Sequence, residues 1–135
     1  IHLVLTRGDI RPDAETLVRV HEPISVLDFL DCGSGRHTFS VDQAMRVIGR
    51  AERGVIVLLH RKEGGQDLLA ALRGDPGEAR PAAKWDPRLY GIGAQILREV
   101  GVGRMRLLAS PRRMPSMAGF GLEVCGYLSP AEAGI

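Results

Sequence analysis

Apolar residues along this chain recur with two distinct periods. Val41, Ala44, Met45 and Ile48 share one helical face, which predicts a helix over Val41–Arg50 capped by Ser40 or Thr38. Leu89, Ile92, Ile96, Leu97 and Val100 form a second such face. Asp86 is suited to cap that helix, Pro87 to open it and Gly101 to end it. Leu68–Leu72 begins a shorter helix. Strand-like stretches run through His2–Thr6 and Thr16–Val20, which read as a hairpin because Arg7-Gly8-Asp9 and Arg11-Pro12-Asp13 between them form turns. Val55-Ile56-Val57-Leu58-Leu59, behind Gly54, is continuously apolar and so predicts a strand covered on both faces. Met105, Leu107 and Leu108 start a short strand, and Gly121–Leu128 is the last one.

Between these elements the pattern breaks down. Residues 21–39 are irregular, with glycines making Asp31–His37 a flexible loop. Residues 73–84 are rich in Gly, Pro, Ala and charge and read as a mobile surface loop; Ser110–Pro115 is a second loop. No internal repeat is present. Strands alternating with helices after an initial hairpin predict an α/β (α+β) fold.

Composition narrows the function classes. A chain of 135 residues with 44% hydrophobic content supports one domain with one core, residues 1–135, and no apolar run is long enough for a membrane span. It has no visible signal peptide, lacks an initiator Met and opens directly on a strand, so it reads as a domain excised from a longer chain. The net charge of +2 and the few aromatics, not interleaved with basic residues, argue against nucleic acid, whereas the arginines suit a phosphorylated ligand. Cys32 and Cys125 form neither a disulfide framework nor a CxxC metal site, and a reducing cytoplasm is the default.

The stretch Asp86-x-Arg88-x-Tyr90-Gly91-Ile92-Gly93-Ala94-Gln95-Ile96-Leu97, with Gly101-Val102, Met105-Arg106-Leu107-Leu108 and Gly119-Phe120-Gly121-Leu122-Glu123-Val124, resembles GTP cyclohydrolase II. Arg19-Val20-His21, Gly54–Leu58 and Glu63-Gly64 support the likeness, which covers nearly the whole chain and is weakest over residues 22–40 and 65–85. The resemblance implies a mixed sheet with flanking helices. It also implies a place in riboflavin biosynthesis, where this enzyme is often fused behind 3,4-dihydroxy-2-butanone 4-phosphate synthase.

In that family a zinc ion on three cysteines activates water to open the guanine ring, and an Arg assisted by an Asp is the proposed nucleophile on the α-phosphate. The Arg and Asp fall on Arg88 and Asp86. The first cysteine falls on Ile24, and the Cys-x-Cys pair falls on Gly35 and His37. The family's Glu-Gly-Arg contact to GTP becomes Glu63-Gly64-Gly65 and loses its Arg. Zinc lowers the pKa of bound water from about 15.7 to about 7, so losing the thiolates removes the ring-opening nucleophile. No metal cofactor is therefore expected, and a substitute site from His21, Cys32, His37 and His60 matches no ligand spacing.

Arg88 and Asp86 are thus the candidate catalytic pair, and Arg19, His21, Glu63, Gly64, Arg112 and Arg113 the candidate nucleotide-binding set. Each also has a plainer reading. Asp86 is a complete N-cap, Glu63-Gly64-Gly65 a turn, His21 a loop histidine and Arg112-Arg113 solvated charge. Gly91, Gly93 and Ala94 are costly on a helix and predict close packing against a strand. The leading expectation is a homodimeric domain that has lost its zinc chemistry and supports or regulates a fused or associated synthase while binding GTP or another phosphorylated ligand. The alternatives are an active cyclohydrolase or phosphohydrolase using Arg88 and Asp86, and a nucleotide sensor.

Overall fold

The structure is a computed structural model that describes residues 1–24, 38–60, 64–73, 87–111 and 117–134, with residues 22–24, 71 and 87–90 described by their backbone alone. Five strands form one mixed sheet: β1 (Leu3–Arg7), β2 (Glu15–Ile24), β3 (Gly54–His60), β4 (Arg104–Leu108) and β5 (Glu123–Leu128). The helices are α1 (Val41–Arg50), α2 (Gly65–Arg73) and α3 (Pro87–Glu99). The spatial order is β1-β3-β2-β4-β5. β2, β3, β4 and β5 run parallel, and β1 lies antiparallel to β3. Among the described residues, no helix is long and apolar enough to cross a membrane.

The first two strands do not form the hairpin expected of them, because β3 inserts between them. Leu3–Arg7 pair with Leu58–Gly54, and Leu17–His21 pair with Gly54–Leu58 on the other side. The turn after β1 instead leans on the α1–β3 connection. Arg7 Nε donates to the Ala51 carbonyl at 2.9 Å, and a Cβ on Gly8, whose φ is +76°, would collide with the Glu52 carbonyl oxygen. β3 is buried from Gly54 to Leu59 and requires a neighbour on each edge as well as cover on each face. β2 also runs on through His21 to Ile24, into the stretch that reads as irregular in sequence.

Alternation along β3 builds two cores. Val55, Val57 and Leu59 meet Ala94 and Leu97 of α3, together with Val18, Val102, Met105 and Leu107. Ile56 and Leu58 face the other way, onto Phe39, Val41, Ala44, Val47 and Ile48 around α1. Each fully buried aliphatic side chain is worth roughly 1.5–3 kcal/mol, so these two layers hold the sheet between its helices.

The caps follow the sequence closely. Ser40 is the N-cap of α1 and forms a complete capping box with Gln43, both bonds being 3.0 Å, so Thr38 is not used. Val47 takes the buried position expected of Met45, which is 51% exposed at the flank of the face. α3 opens at Pro87 as expected, while its expected cap Asp86 lies outside the described residues. The helix ends in a Schellman turn: Gly101 (φ +99°) donates to the Arg98 carbonyl, and Val102 donates to that of Leu97. Close packing explains neither helix glycine: a Cβ on Gly93 would make only an ordinary contact, 3.6 Å from Val20, and one on Gly91 would meet nothing within 4 Å.

Candidate functional site

Four parallel strands end at one edge of the sheet: β2 at Ile24, β3 at His60, β4 at Leu108 and β5 at Leu128. Open α/β sheets bind ligands outside such carboxyl ends. Both later helices begin there. α2 follows directly on β3. The middle of α3 packs on β2 and β3, where Gly93 faces Val20 and Leu59. The backbone of Arg88 occupies the first turn of α3. Asp86, Glu63, Arg112 and Arg113 lie outside the described residues, as do Cys32, Gly35 and His37.

Arg19 and His21 alternate onto the α1 face of β2, and both are buried, at 7% and 1% exposure. The Arg19 guanidinium donates to the Leu108 carbonyl at 2.9 Å and to the Phe39 carbonyl at 3.1 Å. Its centre stands 5.8 Å from the Phe39 ring centroid, within cation–π range. One cation thereby ties β2 to the end of β4 and to the residue preceding the cap of α1. Hydrogen bonds from a charged donor are about twice as strong as neutral ones, which suits the burial of this side chain. These two carbonyls are distant in sequence, and no local pattern could have revealed them.

Gly64 occupies the N-cap position of α2, and its carbonyl accepts from Leu68 at 3.1 Å. Its own N–H donates to the Asp67 carboxylate at 3.3 Å. The amide that would cradle a phosphate is therefore directed at an acid three residues on. That acid also places a negative charge at the positive end of the helix, where a phosphate would otherwise be favoured. Asp67 was absent from the candidate residues, although an acidic residue at the third position of a helix is a readable capping signal. His2 is a second participant that sequence reasoning missed. Its Nδ1 accepts from the backbone N–H of His60 at 3.0 Å, which fastens the start of the chain to the end of β3.

Similarity to known proteins agrees with this architecture. The family model for GTP cyclohydrolase II matches residues 1–129. The chain is 48% identical over 126 residues to a 3,4-dihydroxy-2-butanone 4-phosphate synthase of Neisseria meningitidis serogroup B, covering 93% of this chain and 34% of that protein. A protein of the same name from Pseudomonas aeruginosa is 42% identical over 135 residues, covering 98% of this chain and 36% of that protein. The riboflavin biosynthesis protein RibBA of Chlorobium phaeovibrioides is 34% identical over 139 residues, covering 91% and 33%. The chain thus spans about a third of the length of the curated relatives it matches.

The resemblance sets Ile24, Gly35 and His37 at the positions of the family's three zinc cysteines. Ile24, aligned with the first cysteine, closes β2 opposite His60 and offers only hydrocarbon. Gly35 has no side chain, which leaves His37 as the one donor among the three aligned positions. Among the described residues no three His, Cys, Asp or Glu side chains group closely enough to hold a metal.

Proposed function

Because the chain belongs to the GTP cyclohydrolase II family, as found in riboflavin biosynthesis proteins, we propose that it is a member that has kept the fold and lost the zinc-dependent opening of the guanine ring. In this reading it works as part of a longer polypeptide, supporting or regulating a 3,4-dihydroxy-2-butanone 4-phosphate synthase. Ile24 is the observation that carries the proposal. It ends β2 at the carboxyl edge of the sheet, in the position where the family's first zinc cysteine aligns. Without the three aligned thiolates, the family's means of bringing the pKa of water near neutrality is missing. The Gly64–Asp67 hydrogen bond supports the same reading, because it occupies the amide of the glycine within the aligned Glu-Gly-Arg position, which has itself lost the arginine. The two relatives above 40% identity described here carry the synthase name alone, which favours a supporting role.

A GTP turnover assay with added zinc tests this. The proposal predicts no release of pyrophosphate or formate above background, and appreciable release of both overturns it. A second reading rests on Arg88. A cation in the first turn of a helix is mildly unfavourable to the helix dipole, so its presence there suggests another task. If Arg88, with Asp86, works on the α-phosphate of a nucleotide, phosphohydrolysis should be measurable and Arg88→Ala should abolish it.

A further inference from the structure

β1 is one edge of the sheet, and its two faces differ. Val4 points inward and packs against the core beneath α3. Leu3 and Leu5 pair with Leu58 and Ile56 and so lie on the opposite face, the one α1 covers over β3. α1 does not reach them: Leu3 is 58% exposed and Leu5 is 40% exposed, and Ile1, just ahead of the strand, is fully exposed. The strand contains neither Pro nor Lys, and its only charged residue, Arg7, is turned away to the Ala51 carbonyl. Edge strands are usually blunted by such residues, so an unprotected apolar edge implies a covering partner.

We propose that this strip of Ile1, Leu3 and Leu5 is the seat of the synthase part of the longer polypeptide, a proposal that rests on the function set out above. Two observations select that occupant over a second copy of the domain. The curated relatives extend for about two thirds of their length beyond the region this chain covers, so a large covalently attached body has to sit somewhere on the domain. The strip is also small. Three aliphatic side chains and one five-residue edge fall well short of the roughly 1,200–2,000 Å² that a stable interface between separate molecules buries. A tethered partner needs far less, because a short linker supplies an effective concentration in the millimolar range.

Hydrogen exchange on the full-length polypeptide, wild type against Leu3→Glu/Leu5→Glu, tests this. Protection is expected to fall by about tenfold or more in β1 and in one segment of the synthase part, with β2 and β3 unchanged. Loss confined to β1 overturns the proposal, and so does protection in β1 that disappears on dilution, which marks a second copy as the occupant. Should the double variant fail to fold, a photoactivatable thiol reagent on Leu5→Cys gives an independent answer: crosslinks to synthase peptides within one chain support the proposal, and their absence overturns it. Failure of the underlying reading shows separately, as absence of 3,4-dihydroxy-2-butanone 4-phosphate formation by the wild-type polypeptide.

Discussion

Gly64 and Asp67 close on each other at the start of α2, the glycine amide donating to the carboxylate at 3.3 Å. This is one half of a capping box, with the acid at the third helical position and the glycine as cap. Asp67→Ala should therefore loosen the first turn, costing about 0.5–1 kcal/mol of local stability. Faster amide exchange over residues 64–68, with α1 and α3 unaffected, is the expected result.

Arg19 makes the largest single prediction. Replacing it with Met keeps the apolar bulk but leaves the Leu108 and Phe39 carbonyls without their charged donor. A loss of about 2–4 kcal/mol in urea unfolding is expected, since unpaired buried acceptors carry their full desolvation cost. A change below about 0.5 kcal/mol would show that the guanidinium holds nothing together.

Thr16 predicts the opposite sign. It is fully buried, and among the described residues its hydroxyl has no hydrogen-bond partner. Thr16→Val keeps the shape and removes the unsatisfied oxygen, so it should stabilise by about 1 kcal/mol. The thermal midpoint is the readout.

Two glycines separate backbone need from chance. Gly91→Ala adds a methyl into open space on α3 and should stabilise by about 0.5–1 kcal/mol through helix propensity. Gly103→Ala would drive a methyl into the Pro12 backbone and should destabilise by about 2 kcal/mol or more. Parallel thermal melts of the two variants, moving in opposite directions, check both.

Local signals were legible in the sequence wherever the responsible contacts are local. Ser40 and Gln43 are three residues apart, and Gly101 and Val102 bond back to the last turn of their own helix, so both helix boundaries could be read. Strand pairing was not, because β3 lies far along the chain and displaces β2 from β1 through burial that no turn residue records. Met45 and Val47 lie on opposite flanks of the α1 face, and the tertiary neighbours decide which flank is covered. At the candidate site, the residue types were readable and their surroundings were not. Arg19 was a candidate through the family resemblance alone, and the backbone carbonyls it donates to lie 20 and 89 residues away. The aligned Ile24 needed only its chemistry to be informative: a hydrocarbon cannot ligate metal wherever the chain places it.

Loss of the zinc site is the central claim, and metal content tests it most directly. The full-length protein, purified after incubation with zinc and removal of the excess, should carry far less than stoichiometric zinc. Stoichiometric zinc retained through that procedure, and lost on changing His37, would contradict it.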